Sequence, residues 1–374
     1  MKRISIVVLI LCARFVSVAW GQQTAGTCVS KWAQFHKYNM RRSNPCEKVL
    51  KVNNVGELRL KWRYATADQV DPSPAVANGV VYVGSEDSKV YALKASTGAK
   101  LWSYTTENGV YSSPAVANGV VYIGSRDGNV YALNAGTGAK LWIFTTGGEV
   151  NPSPVVANGV VYVGSYDGNV YALNASTGAL LWRSHAGYEQ WSSPAVASGV
   201  VYVGEVDGKV YALDASTGVL LWTHNTGDAV YSSPAVANGV VYVGSNKVHA
   251  LNASTGALLW SYNNNTCVWG SPAVAKGVVY VGCLDGNIYA LNASTGAKLW
   301  SYRTGSSVYS SPAVANGVVY VGSEDRKVYA LKASTGAKLW SYTVGSYVNS
   351  SPAVANGVVY VGSSDGKVYA FGLK

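Results

Sequence analysis

Apolar residues occur along this chain in short runs, and the runs are separated by glycine-containing turns. The segment between residues 73 and 104 contains four such runs, Ser73–Ala77, Val80–Gly84, Lys89–Leu93 and Ala99–Tyr104. Asn78-Gly79 between the first two runs is a strong signal for a two-residue hairpin turn. The pattern therefore predicts four short antiparallel strands, which we call A to D in chain order.

The same unit returns throughout the chain. The proline of its motif Ser-Pro-(Ala/Val)-Val stands at positions 74, 114, 154, 194, 234, 272, 312 and 352, so the period is 40 residues except for one step of 38. A fixed period of this length marks a repeat architecture in which each unit packs against its neighbours. Four antiparallel strands per repeat, arranged radially, form a propeller. We therefore predict an all-β fold, an eight-bladed β-propeller.

Strand D carries one tryptophan in each repeat. These residues are Trp62, Trp102, Trp142, Trp182, Trp222, Trp260, Trp300 and Trp340. The last repeat ends after strand C (Lys367–Leu373), whereas a strand-D sequence, residues 55–66, precedes the first repeat. We expect residues 55–66 to complete the last blade and close the ring, because closure leaves no unpaired gap between blades. The alternative is an open solenoid.

The composition agrees with ordered β structure. Hydrophobic residues make up 48% of the chain and charged residues 13%, which is too apolar for a disordered protein. The 41 glycines and 27 tyrosines suit short strands and tight turns. The formal net charge is +10, but Lys and Arg are scattered over the repeats and do not cluster. A nucleic-acid partner is therefore not expected.

The N-terminus has the features of a secretory signal peptide. A basic start, Met1–Arg3, precedes an apolar run, and Ala19-Trp20-Gly21 resembles a cleavage site. The run is too short to span a bilayer, and no later stretch could span one. We therefore expect a signal peptide (1–21), an N-terminal extension (22–54) and the propeller (55–374). The mature protein should be exported to the periplasm or the extracellular space, without a transmembrane span and as a monomer.

Four cysteines follow the predicted cleavage site: Cys28, Cys46, Cys267 and Cys283. An even number in an exported protein favours disulfides, and the pairs Cys28–Cys46 and Cys267–Cys283 are the simplest of three connectivities. The chain has no Cys-x-x-Cys sequence, so a zinc ribbon or a haem attachment site is not supported.

Residues 92–102, ALKASTGAKLW, resemble the tryptophan-docking motif A-x-D-x-x-x-G-x-x-x-W of PQQ-type (pyrroloquinoline quinone-type) propellers. The resemblance covers the chain after residue 55. It implies that each tryptophan is held between two neighbouring blades and that the motif glycine allows close approach. The motif aspartate is present only at Asp214 and is Asn or Lys in the other copies. This departure would weaken a side-chain hydrogen bond without changing the fold.

The resemblance leaves the function open, because one fold hosts many functions. Quinoprotein dehydrogenases of this superfamily hold PQQ and calcium with a vicinal cysteine pair and metal-binding carboxylates, which do not stand out in this sequence. BamB-like outer-membrane assembly factors are also eight-bladed but carry a lipid-attachment cysteine that is absent here. We expect a non-catalytic binding or scaffold protein without a cofactor. A PQQ-dependent dehydrogenase and a BamB-like assembly factor are the alternatives.

Function is expected where the repeats differ, since loops on a rigid scaffold commonly carry binding residues. The A–B and C–D turns are nearly invariant and lie on one face, whereas the variable D–A and B–C connections lie on the other. The residues three positions before the repeat prolines are predicted to surround the mouth of the central channel; they are Asp71, Tyr111, Asn151, Trp191, Tyr231, Trp269, Tyr309 and Asn349.

Aromatic side chains beside a few polar groups in a concave site indicate a protein or peptide partner, or a small ligand. The shortened B–C loop of blade five, Ser245-Asn246-Lys247, is expected to open a notch beside Trp191, Tyr231 and Trp269. The alternative is that these aromatic residues only fill the channel.

The rim of the disc also varies. Two positions before the strand-D tryptophan, four blades carry Lys100, Lys140, Lys298 and Lys338, whereas three successive blades carry Leu180, Leu220 and Leu258. Lysine on an edge strand discourages edge-to-edge association. We hypothesise that the three-leucine sector contacts another protein; neutral variation is the alternative.

Overall fold

The computed structural model describes residues 30–35, 41–263 and 268–374. Eight antiparallel sheets, one per repeat, have the strand order A-B-C-D. Each strand A contacts strand A of both neighbouring blades, and the series closes from blade eight to blade one. The predicted eight-bladed propeller is therefore confirmed. The described part of the chain contains no helix with the length and hydropathy to cross a membrane.

The strand bounds repeat from blade to blade. Strand A spans Ala75–Ala77, Ala115–Ala117, Val155–Ala157, Ala195–Ala197, Ala235–Ala237, Ala273–Ala275, Ala313–Ala315 and Ala353–Ala355. Strand B spans Val80–Ser85, Val120–Gly124, Val160–Gly164, Val200–Gly204, Val240–Gly244, Val278–Gly282, Val318–Ser323 and Val358–Ser363. Strand C spans Lys89–Lys94, Asn129–Asn134, Asn169–Asn174, Lys209–Asp214, Lys247–Asn252, Asn287–Asn292, Lys327–Lys332 and Lys367–Gly372. Strand D spans Lys100–Thr105, Lys140–Thr145, Leu180–His185, Leu220–Asn225, Leu258–Asn263, Lys298–Arg303, Lys338–Thr343 and, for blade eight, Arg59–Ala65.

The A–B turns have the backbone geometry that their sequence predicts. Asn78 has φ 50° and Gly79 has φ 78°, so both central residues of the turn are left-handed. Such turns match the twist of the two strands they join, and Asn-Gly is their preferred sequence. The local sequence thus favours the A–B hairpin in the six blades that have Asn-Gly, and Ser198-Gly199 and Lys276-Gly277 adopt the same geometry in blades four and six.

The tryptophan of each strand D joins two blades, as the family motif implies. Trp102 Nε1 donates to the Ala135 carbonyl of the next blade at 2.9 Å. A Cβ at Gly138 would lie 2.7 Å from the Trp102 ring, so only glycine allows this approach. All eight indoles donate across a blade boundary in this way; at the closure of the ring, Trp340 donates to the Leu58 carbonyl.

The N-terminal strand closes the ring. Arg59–Ala65 pairs antiparallel with strand C of blade eight, and Arg63 lies opposite Tyr369. The predicted partner is therefore right. The strand is shorter than residues 55–66 because Val55–Glu57 forms a 3-10 turn.

A ring of serine hydrogen bonds also joins the blades. The backbone N–H of each motif serine donates to the hydroxyl oxygen of the motif serine in the next blade, for example Ser73 to Ser113 at 2.9 Å. The series runs through Ser73, Ser113, Ser153, Ser193, Ser233, Ser271, Ser311, Ser351 and back to Ser73. The serine of the motif therefore satisfies a buried N–H at every blade boundary.

The N-terminal extension packs inside the ring of strands A, which the repeat pattern did not predict. Trp32 exchanges two backbone hydrogen bonds with Val76 of blade one and is fully buried. The Ala33 carbonyl accepts from the N–H of Val116 in blade two, and residues Ser43–Asn44 pair with strand A of blade seven. The extension is thus part of the core.

Arg42 is the buried cation of this extension. Its guanidinium donates to the backbone carbonyls of Ser311, Pro312 and Pro352 and lies 4.5 Å from the centre of the Phe35 ring. Burial lowers the pKa of Arg42 to about 9. The side chain connects the extension to blades seven and eight close to the ring of serines.

The predicted disulfides lie partly outside the described residues. Cys46 is a disulfide cysteine, and its predicted partner Cys28 lies outside them. Cys283 is buried at the end of strand B of blade six, and its predicted partner Cys267 is also outside. Both pairings stay predictions.

Candidate functional site

The turns and loops are distributed over the two faces of the disc as the sequence predicts. In blade one the A–B and C–D turns lie together, because Ala95 N donates to the Gly79 carbonyl at 2.9 Å. The D–A and B–C connections meet at the opposite end of the strands, where Glu86 N donates to the Gln69 carbonyl at 3.0 Å. The variable loops therefore share one face.

One buried residue fixes each D–A loop at the channel. The residues immediately before the eight predicted mouth positions are at most 1% exposed: Val70, Val110, Val150, Gln190, Val230, Val268, Val308 and Val348. Val110 packs over Gly84 of strand B, where an added Cβ would lie 3.0 Å from the Val110 Cβ. Because this residue anchors the loop, the next side chain is held at the mouth and stays partly exposed.

Four mouth residues form a continuous aromatic arc over blades four to seven. Tyr231 and Trp269 stack with ring centres 4.1 Å apart, and Trp191 and Tyr309 contact this pair edge-on at 6.2 and 5.5 Å. Tyr166 extends the arc, with its ring centre 4.9 Å from that of Trp191. Trp191 is 41% exposed, so it presents aromatic surface to solvent.

The other mouth residues form a polar arc over blades eight, one, two and three. The Asp71 carboxylate accepts hydrogen bonds from Ser364 Oγ at 2.9 Å and from the Asn349 side chain. The Arg126 guanidinium lies 3.7 Å above the centre of the Tyr111 ring.

Glu149 connects Arg126 to Asn151 in this arc. Its carboxylate lies 3.7 Å from Arg126 Nε and accepts a hydrogen bond from Asn151 Nδ2 at 3.1 Å. The eight predicted residues thus surround the mouth as two contrasting halves.

The polar arc contains acceptor atoms that lack a partner. Glu86 Oε1, Asn151 Oδ1 and Asn349 Oδ1 are buried and accept no hydrogen bond from the described residues. Burial raises the pKa of Asp71, and burial together with the charge of Asp71 raises that of Glu86. Unpaired buried acceptors are uncommon and favour a ligand or water that donates to them.

Blade five departs from the other blades beside the aromatic arc. In the other seven blades a strand-C tyrosine donates to an aspartate of the B–C loop, as in Tyr211 to Asp207 at 2.8 Å. The two-residue deletion removes this aspartate, and His249 replaces the tyrosine and contacts Ser245 Oγ at 3.2 Å. Burial lowers the pKa of His249 to about 4, so it is neutral at pH 7. The predicted notch stays a prediction.

Glu205 is a buried acid that the sequence analysis missed. It stands where six of the other repeats have serine, and one of its carboxylate oxygens accepts from Tyr188 N at 2.9 Å. Burial raises its pKa to about 8. The loop above it borders a cavity of about 580 Å³ that Tyr166, Glu189 and Asp207 also line. Comparison of the repeats at this single position could have identified it.

The described residues do not form a cluster of ligands for the calcium ion of the dehydrogenase alternative. Within residues 30–35, 41–263 and 268–374, no group of three or more His, Cys, Asp or Glu side chains could hold a metal ion. Asp71 and Glu86 provide two carboxylates at the mouth, and Asp71 is already engaged by Ser364 and Asn349. The expected independence from a cofactor stays a prediction.

Known proteins resemble this chain at several levels. The family model described as "Outer membrane protein assembly factor BamB" matches residues 51–153, 126–263, 207–311 and 285–374. The dehydrogenase subunit of the alcohol dehydrogenase (quinone) of Gluconobacter oxydans (strain 621H) is 32% identical over 98 residues, which are 23% of this chain and 13% of that protein. This chain thus spans a small part of that relative.

Two solved structures share the fold. BamB from Moraxella catarrhalis has a TM-score of 0.73 at 21% identity and covers 84% of this chain and 100% of its own. Quinohemoprotein alcohol dehydrogenase from Comamonas testosteroni has a TM-score of 0.80 at 18% identity and covers 92% of this chain and 80% of its own. At these identities the likeness concerns the fold alone. The family model, in contrast, extends without a gap from residue 51 to residue 374, and the chain belongs to the PQQ-like propeller family described as outer membrane protein assembly factor BamB.

Proposed function

We propose that this protein is an exported, non-catalytic binding propeller that holds a segment of a partner protein in its mouth. The observation that carries the proposal is the pairing of the aromatic arc with three unpartnered acceptors, Glu86 Oε1, Asn151 Oδ1 and Asn349 Oδ1. A peptide can contact both arcs. Its backbone N–H groups donate hydrogen bonds to the acceptors of the polar arc, and its side chains cover the aromatic arc.

Trp191 is the expected anchor of the partner. It is the most exposed of the mouth aromatics, whereas Tyr231 and Trp269 already cover one face of each other. Aromatic side chains contribute large contact area at a small cost in conformational entropy. Removal of a true anchor typically weakens binding by about 2 kcal/mol or more, which is about a thirtyfold change.

The experiment is capture of partners from the exported fraction on immobilised protein. The partner is expected to bind wild type and to be lost with Trp191→Ala. Tyr347→Ala is the matched control, because Tyr347 is 51% exposed in a D–A connection but does not stand at a mouth position. Equal capture by wild type and Trp191→Ala would refute a mouth-centred site.

A role in outer-membrane protein assembly is the second candidate, and the family match to the BamB model favours it. In this case the captured partner would be another component of that assembly process. A dehydrogenase remains the enzymatic alternative. Titration with PQQ and calcium, followed by an assay of alcohol oxidation with an artificial electron acceptor, tests it; tight quinone binding with turnover would overturn the binding-protein proposal.

A further inference from the structure

The chain itself occupies one of the grooves between blades on the A–B face. Leu50 of the extension is fully buried in the same cluster as Val318 and Tyr320 of blade seven. Its carbonyl accepts a hydrogen bond from Asn316 Nδ2 at 2.9 Å. Val318 is fully buried, whereas its counterparts in the other seven blades are half-buried. The extension thus covers the apolar floor between blades seven and eight.

The groove between blades three and four has the same floor without that cover. Asn158, Val160 and Tyr162 stand at the positions of Asn316, Val318 and Tyr320 and line a cavity of about 540 Å³. Leu181 and Val200 provide its walls. Asn158 is exposed, so its side chain can reach an incoming backbone carbonyl as Asn316 does. The groove therefore presents the same three residue types that contact Leu50 in blade seven.

The surroundings distinguish this groove from its copies. The strands D on its two sides carry Leu180 and Leu220, which are 45% and 51% exposed, where four other blades have lysine. In the groove between blades six and seven, Lys276 replaces the asparagine and Val52 of the extension lines the cavity. The groove between blades four and five has Ser198 at the asparagine position.

We propose that the groove between blades three and four binds an extended, aliphatic segment of a partner protein in the way the chain binds its own Leu50. A leucine side chain enters over Val160 and Tyr162, and the carbonyl of that residue accepts from Asn158 Nδ2. Burial of aliphatic surface drives the binding, and Leu180 and Leu220 extend the apolar contact beyond the groove. This site lies on the face opposite the mouth and is independent of the function proposed above.

The test uses a fluorescent peptide with the sequence of residues 47–58, EKVLKVNNVGEL, titrated with the mature protein and followed by anisotropy. The peptide is expected to bind, and the same peptide with Leu50→Asp is not. Asn158→Gly retains the left-handed turn (φ 51°) and removes the donor, so it should weaken binding about fivefold. Leu181→Lys should weaken it about tenfold or more.

Leu299→Lys is the matched control, because Leu299 is the counterpart of Leu181 in the groove next to Val52 and should leave the affinity unchanged. Equal affinity of wild type, Asn158→Gly and Leu181→Lys would overturn the proposal. Sedimentation of the unlabelled protein tests whether a second copy of this chain occupies the groove instead. A concentration-dependent dimer that Leu181→Lys abolishes would assign the groove to a second copy of this chain and would also overturn it.

Discussion

The two faces of the disc are built by the same eight repeats but differ in what the repeats conserve. On the A–B face, Asn-Gly turns recur, and Leu50 of the extension covers the groove beside Asn316 and Val318. On the other face, the position three residues before each repeat proline varies from aromatic residues such as Trp191 to polar residues such as Asp71. The comparison indicates that recurrent residues stabilise the ring, whereas the residues that vary supply recognition.

Loss of the N-terminal segment should have the largest effect on the stability of the ring. Removal of residues 1–66 takes away the fourth strand of blade eight and the Leu58 carbonyl that Trp340 needs. The exposed edge of strand C should then make the protein aggregate. Solubility and thermal unfolding check this against a control that lacks residues 1–21 alone; a soluble truncation of equal stability would contradict ring closure.

Trp32→Ala should be the most damaging single substitution in the extension. Trp32 is fully buried, so truncation leaves a large cavity and should cost about 3–5 kcal/mol of unfolding free energy. Denaturant unfolding measures the change, with Lys48→Ala, at an exposed position, as the control. A change below about 1 kcal/mol would mean that the extension contributes little to the core.

Glu205 should make the stability of the folded protein depend on pH. Its pKa is about 8 in the folded protein and near 4.5 when unfolded, so the folded state holds a proton that the unfolded state loses between these values. Stability should therefore fall as the pH rises from about 4.5 to 8. Glu205→Ser, the residue of most sister repeats, should raise the melting temperature at pH 8.5 by about 2–4 °C more than at pH 5. Parallel pH profiles of the two proteins would exclude this role.

Much of the fold could be predicted from the sequence because its determinants are local and repeated. Asn78-Gly79 specifies its own turn, and the period places Trp102 and Gly138 together across a blade boundary. The docking of Trp32 and Arg42 could not be predicted, since their partners are backbone groups of distant blades, which every repeat presents alike and no side chain identifies.

The position of the candidate site could be predicted from the sequence, but the contacts among its side chains could not. The variable residue before each proline locates the mouth, whereas the split into two arcs depends on contacts such as Arg126 with Tyr111 and Tyr166 with Trp191. Each of these contacts joins a B–C loop to a D–A loop, and the contact of Tyr166 with Trp191 also joins two blades. The raised pKa of Glu205 likewise depends on the loop that closes over it.

The most direct test is to measure the melting temperatures of Trp191→Ala and Trp269→Ala beside their partner capture. If the mouth is a binding site, Trp191→Ala should lose capture while its stability changes by no more than about 0.5 kcal/mol. Trp269→Ala should lower the melting temperature, because it removes the stack on Tyr231. A Trp191→Ala protein that is as destabilised as Trp269→Ala and still captures the partner would contradict the account, and would show that the aromatic arc only fills the channel.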